Sequence, residues 1–393
     1  MTMRIVDVCA FYSPHGGGVK TYVEQKLRAS RPGEQQIVLV VPGAQDAVIP
    51  QESGGFIRVV KAPLFPLDRR YRYFRDETAL HDVLDALAPD LVEVSSPWSS
   101  PAMVARWRGR VPRALIMHAD PLSAYAYRWF SGVMKRNQID RQFDWFWRHL
   151  RRLDDQFDIV ICANGHLGRR LVEGGLKKVQ VVPMGVQPNL FSPCLRDIRL
   201  RARMLARCGL DERATLLVAM GRHGKEKRWP MVFQGVTAAG FGNPVGLILF
   251  GDGRSRASVV RAAAHNPHIH LAAPVSDRHM LASILASSDA LVHGCEAETF
   301  CMAAAEARAS GLPIVVPNYG GAADQFVPGQ GALFTAGSAA SLADALRHFL
   351  AGNVFGAREA AVAQADSIPS MDMHFQRLFS LYLQQRDRIS NAA

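Results

Sequence analysis

The chain has 393 residues, 48% hydrophobic and 21% charged, with a formal net charge of +11. That length exceeds what one compact core usually serves, so two domains are expected. No run of about 18 apolar residues occurs, which argues against a membrane-spanning helix. The six cysteines form no CxxC pair or metal-ligand spacing, so reduced cytosolic thiols are expected.

The basic excess lies in the first half and in residues 196–228. Such a surface suits nucleic acid, anionic lipid or phosphorylated ligands. Zinc-finger, RRM and KH patterns are absent, so no nucleic-acid partner is expected. The N-terminus, MTMRIVDVCAFYSPHGGG, reads as a strand and a glycine loop rather than a secretory leader.

Arg4 to Cys9 form the first strand-like run, followed by Gly16, Gly17 and Gly18 and a helix from near Val19. Strand, glycine loop and helix open a Rossmann-like unit. A dinucleotide fingerprint fails because Thr21 occupies the third glycine place and no acidic residue ends the next strand, Ile37 to Val41. A Walker loop fails because Val19 precedes Lys20. Further runs at Ile57–Val60, Leu91–Val94 and Ala114–Met117 alternate with helical stretches such as Glu77–Ala88. This alternation predicts a parallel sheet covered on both faces, with ligands at the carboxyl ends of its strands. His118 stands at such an end, with Asp120 two residues on.

Tyr125 to Arg152 form a basic stretch studded with Trp and Phe. It suits docking on an anionic membrane surface, and equally an ordinary helix whose rings pack on the sheet. The run Asp158–Cys162 is another strand, and Val179–Val182 leads into Pro183-Met184-Gly185-Val186 and Phe191-Ser192-Pro193. An Arg-rich helix then opens a second unit, with strands at Thr215–Met220, Leu247–Phe250, Ile269–Leu271, Ala290–Val292 and Pro313–Val316. Arg222 and Lys227 follow the first of these strands; Glu298 and Glu306 lie between the last two, with seven residues separating them. A helix starting near Thr299 would contain Glu306 and leave Glu298 just ahead of it. Helix N-termini suit anions, so two carboxylates there suit sugar or ribose hydroxyls better than phosphate. The closing stretch Met373–Arg386 carries Phe375, Leu378, Phe379 and Tyr382 at i, i+3, i+4 and i+7, one apolar helix face.

The stretch EAETFCMAAAEARASGLP resembles the E-x7-E signature of retaining glycosyltransferases of the GT-B fold, family 4 (glycosyl transferases group 1). Glu298, Phe300, Glu306, Ala307, Ala309, Gly311 and Pro313 match, while Thr299, Cys301 and Met302 depart. The hinge at Pro183 matches except for Met184, and Arg222 and Lys227 keep the family's G-R-x-x-x-x-K spacing.

The resemblance implies an α/β chain of two Rossmann-like domains facing a cleft, with a C-terminal helix crossing back to the first. The expected divisions are an acceptor-binding domain at 1–193, a nucleotide-sugar-binding domain at 194–370 and the returning helix at 371–393. It further implies transfer of a hexose, of mannose or glucose type, from a nucleoside-diphosphate sugar. The acceptor is expected to be lipid-linked, a glycolipid or a polysaccharide. Catalytic roles fall to His118, Arg222, Lys227 and Glu298, with the site completed on closure of the cleft. Arg222 and Lys227 would hold the diphosphate, Glu306 the ribose and Glu298 the sugar. Gly17, Gly18, Phe300, Cys301 and Met302 would also contact the donor. No cofactor and no metal are expected, and the expected location is cytoplasmic or peripheral on the inner face of the membrane. The alternatives are an epimerase of the same fold and a non-catalytic carbohydrate- or lipid-binding protein.

Overall fold

The computed structural model describes residues 2–10, 12, 18–31, 33–66, 71–95, 98–118, 122 and 136–392. Two compact units emerge. The first takes the described residues 2–118 and 136–183 together with Asp372 onward; the second takes Leu122 and Met184–Met371. The chain passes between them at Pro183/Met184, ahead of the 193/194 division expected from sequence, and again at Met371/Asp372.

In the first unit, the strands are β1 (Met3–Val8), β2 (Gln35–Gly43), β3 (Ala47–Pro50), β4 (Phe56–Lys61), β5 (Leu91–Val94), β6 (Arg113–Met117), β7 (Ile159–Cys162) and β8 (Val179–Val181). They form one sheet in the order β3-β4-β2-β1-β5-β6-β7-β8, parallel except for the β3–β4 pair. Strands buried on both faces need continuous apolar runs, which is why β2 and β6 read so plainly in the sequence. The order reverses direction between β1 and β5, the crevice where ligands collect in open α/β sheets.

Beneath that crevice the core holds charge. Asp7 of β1 and Glu93 of β5 are register partners, and the Lys26 ammonium, from helix Gly18–Arg28, binds both carboxylates. All three side chains are fully buried. Ser95 donates to Asp7 at 2.8 Å, and Tyr382 of the closing helix donates to Glu93 at 2.6 Å. A buried ion cluster is tolerable only when its remaining lone pairs find donors, and here they do. The closing helix, Met371–Ala392, packs Phe375, Leu378, Phe379 and Tyr382 into this unit.

The second unit contains β9 (Thr215–Met220), β10 (Val245–Phe250), β11 (Ile269–Ala272), β12 (Ala290–Val292), β13 (Ile314–Pro317) and β14 (Gly331–Phe334). All pair in parallel in the order β11-β10-β9-β12-β13-β14, so the direction reverses between β9 and β12. Helix Trp229–Ala239 lays Trp229, Val232, Phe233 and Val236 on one face of this sheet, where they join the strands' own apolar side chains. Both units are thus Rossmann-like. No helix among the described residues is long and apolar enough to cross a membrane.

Candidate active site

The site of the second unit grows from the two loops that leave β9 and β12. The β9 loop, Gly221 to Arg228, is clamped from beneath. The His223 N–H donates to the Asp252 carbonyl at 2.8 Å, and the Trp229 indole donates to the Arg222 carbonyl at 3.0 Å. The loop after β10 presses so close that a Cβ on Gly251 would lie 2.0 Å from the Gly221 oxygen, so only glycine fits there. The β12 loop, His293 to Cys301, is held from the other side by Gly320, at φ 77°, whose Cβ would strike the Glu296 carbonyl at 2.2 Å.

These constraints bring Lys227 onto Glu298, ammonium to carboxylate. Next to that pair, Arg228 grips Glu296 with two guanidinium nitrogens, its Nε 2.8 Å from Oε2. Arg228 sits in the left-handed region at φ 53°, which turns successive side chains toward successive acids of the facing loop. His293 completes the group, its Nε2 3.3 Å from Glu298 Oε1. Burial acts to raise the Glu298 carboxyl, but the Lys227 charge and the His293 contact outweigh it and hold the group well below the usual range. Burial likewise acts to lower Lys227, and Glu298 reverses this, so the ammonium is firmly charged. Side-chain exposures of 15% and 23% leave the Lys227–Glu298 pair with one edge in contact with solvent.

His293, Cys295 and Glu298 place one ligand atom each within 4.8 Å of one another. The Lys227 ammonium already supplies the positive partner of that carboxylate, and burial pushes the Cys295 thiol up to about 12.

Glu306 lies in helix Met302–Ala309, which begins three residues later than the sequence suggests because Cys301, at φ 67°, turns the chain first. Phe300 and Cys301 are buried, and the first N–H groups of the helix open just behind them. Glu306 is itself 6% exposed and binds the Arg278 guanidinium at 2.6 Å. Burial raises its carboxyl, with Arg278 acting against the rise. Arg222 stands apart from all of these, its side chain 72% exposed and 3.8 Å from Glu226. In the first unit, His118 leaves β6 with its ring edge-on to Tyr22, centroids 4.9 Å apart, and burial lowers its imidazole to about 4. Gly18 starts the first helix, while Gly17 and Asp120 lie outside the described residues.

Two models for protein families match the chain: "Glycosyltransferase Family 4" over residues 16–190 and "Glycosyl transferases group 1" over 203–366. The chain is a family 4 glycosyltransferase. A Mycobacterium tuberculosis (strain ATCC 25177 / H37Ra) protein named GDP-mannose-dependent alpha-(1-6)-phosphatidylinositol dimannoside mannosyltransferase is 29% identical over 80% of this chain and 79% of its own. A GDP-mannose-dependent alpha-mannosyltransferase from M. tuberculosis (strain CDC 1551 / Oshkosh) is 27% identical over 83% and 82%. Among solved structures, a sucrose-phosphate synthase from Thermosynechococcus elongatus superposes with a TM-score of 0.74 at 17% identity, covering 97% of this chain and 98% of its own. Anabaena HepE, in complex with UDP and glucose, gives 0.71 at 16% identity, covering 97% and 100%. These likenesses establish the GT-B fold for the glycosyltransferase.

Of the residues singled out from sequence, Lys227 and Glu298 meet directly, while Glu306 is paired elsewhere. Sequence reasoning missed His293, Arg278 and the Arg228–Glu296 pair. His293 carried a usable signal, since it directly follows a buried strand just as His118 does; Arg278, at the start of a helix, carried none.

Replacing Lys227 by Met strands the Glu298 carboxylate in a mostly buried place. We expect a loss on the order of 3 kcal/mol in urea unfolding, largely restored when Glu298→Gln is added; a double variant no more stable than Lys227→Met would refute the coupling.

Proposed function

We propose that this glycosyltransferase moves mannose from GDP-mannose to a lipid-linked acceptor, with retention of configuration and without a metal ion. The observation that carries the reading is the Lys227–Glu298 pair at the β9/β12 reversal, with one edge open. The mannosyl donor and the lipid acceptor are drawn from the names of the mycobacterial relatives.

In this reading Arg222 and Lys227 receive the diphosphate. Negative charge grows on that leaving group as the glycosidic bond breaks, and fixed cations stabilise it more in the transition state than in the ground state. Arg222, exposed and lightly held, is free to grip two phosphate oxygens; Lys227 acts as a point charge. Glu298 accepts hydrogen bonds from sugar hydroxyls, fully ionised because Lys227 keeps it so. Glu306 accepts from the ribose, and Phe300, Cys301 and Met302 frame the helix start beside it. His118 of the first unit attends the reacting centre as a neutral imidazole at pH 7, consistent with its lowered pKa. No carboxylate nucleophile is invoked; the departing phosphate itself takes the acceptor's proton.

The described part of the basic aromatic stretch divides between two uses. Phe146 and Trp147 are buried in the first unit, whereas Trp145 is 52% exposed beside the exposed Arg148. Among the described residues of this stretch we therefore assign contact with an anionic membrane surface to the Trp145 face, with the protein peripheral to the cytoplasmic face.

The first test is thermal unfolding with saturating GDP, UDP, ADP and NAD in parallel. A ligand at 100 times its Kd stabilises by about 2.7 kcal/mol, roughly 5–10 °C for domains of this size. A shift with GDP, followed by EDTA-insensitive turnover of GDP-mannose to a product of the donor's anomeric configuration, is expected. No shift with any nucleoside diphosphate, or an inverted product, would overturn the reading. For the surface assignment, the protein should sediment with phosphatidylserine-containing vesicles at low salt and Trp145→Ala should not; equal sedimentation of both would remove Trp145 from it.

A further inference from the structure

The first unit carries a chain of contacts that runs to His118 and that the proposed chemistry has not used. Its start is the Pro183 carbonyl, at the point where the main chain leaves the unit. His374 of the closing helix lies against it, Nδ1 2.9 Å from the Pro183 oxygen. A carbonyl only accepts, so Nδ1 must carry the hydrogen of the neutral ring. That leaves Nε2 with a lone pair, and the Tyr22 hydroxyl, 3.1 Å away, is its donor. The tautomer of His374 is thus dictated from one side and read out on the other.

Tyr22 is buried. The ring packs edge-on to His118 at 4.9 Å, to His374 at 5.5 Å and against Phe375 at 5.5 Å. Lys26, itself immobilised by Asp7 and Glu93, stands 5.6 Å from the ring centroid. Glu93 in turn receives the Tyr382 hydroxyl of the same closing helix. Helix Met371–Ala392 therefore grips the Tyr22 surroundings twice, once at the hydroxyl and once through the buried ion cluster.

We infer that Tyr22 and His374 are positioning residues for His118: His374 fixes the Tyr22 hydroxyl, and the Tyr22 ring sets the plane and direction of the His118 imidazole. The inference rests on the proposed role of His118 at the reacting centre. A histidine side chain turns about two torsions, and a reacting group displaced by about 1 Å costs on the order of a hundredfold in rate. A buried ring packed on its edge removes that freedom without adding charge. The closing helix thereby becomes part of the active-site support, although its side chains only buttress the group that acts.

A double-mutant cycle separates positioning from plain packing. Tyr22→Phe keeps the ring and deletes only the hydroxyl. Steady-state turnover of GDP-mannose would be measured for wild type, Tyr22→Phe, His118→Ala and the double variant, with each unfolding midpoint as a control. We expect Tyr22→Phe to lower kcat about tenfold with donor KM unchanged, His118→Ala to lower it about a hundredfold, and the double variant to be no slower than His118→Ala. His374→Ala should match Tyr22→Phe in kcat. An unchanged kcat in Tyr22→Phe, or a loss of the same size in the His118→Ala background, would overturn the positioning role while leaving His118 itself in place. Wild-type kcat in His118→Ala would instead remove His118 from the reaction, and the positioning role with it.

Discussion

The second unit is organised around a lysine and a glutamate that neither water nor a second cation fully relieves. Lys227 and Glu298 come from loops on adjacent, oppositely wound halves of a parallel sheet, and each keeps the other charged against burial. The glycines at 251 and 320, the left-handed Arg228 and its grip on Glu296 are the conditions under which those loops come close enough. An ionised carboxylate with an open edge, beside a fixed ammonium, can accept hydroxyls and tolerate a phosphate at once. That dual character is what a sugar diphosphate demands.

The first unit repeats the arrangement with a different outcome. At its own reversal, between β1 and β5, a lysine again sits on carboxylates, but Lys26, Asp7 and Glu93 are sealed completely and every acceptor is filled from within. Burial distinguishes the two clusters. The sealed one fixes Tyr22 and the closing helix in place; the partly open one retains capacity for a ligand. Similar residues at equivalent places in two Rossmann-like sheets therefore do structural work in one unit and offer a site in the other.

Much of the scaffold was legible because doubly covered parallel strands must be apolar throughout: β5, β9 and β12 fall on the residues their apolar runs mark. The strands that escaped notice were β3, an exposed antiparallel edge, and β14, a short strand that opens on Gly331. Neither carries the run of buried residues that makes an inner strand visible. In the site, Glu298, Glu306 and Lys227 were plain, but the pairing of Lys227 with Glu298 and of Arg278 with Glu306 was not. Lys26 and Arg278 look like ordinary helix-surface cations until a neighbouring element places a carboxylate against them, and pairing across dozens of residues leaves no local trace. Phe146 and Trp147 mislead in the opposite sense: in a basic stretch they suggest an interface, yet the unit buries them.

In the proposed reaction Glu298 meets the sugar rather than the nucleotide. Calorimetric titration of GDP and of GDP-mannose into wild type and Glu298→Gln tests this directly. The account predicts that GDP binds both proteins with similar affinity, while the difference between GDP-mannose and GDP seen in wild type disappears in the variant. Equal losses of affinity for GDP and GDP-mannose would place Glu298 at the nucleotide and contradict the central claim.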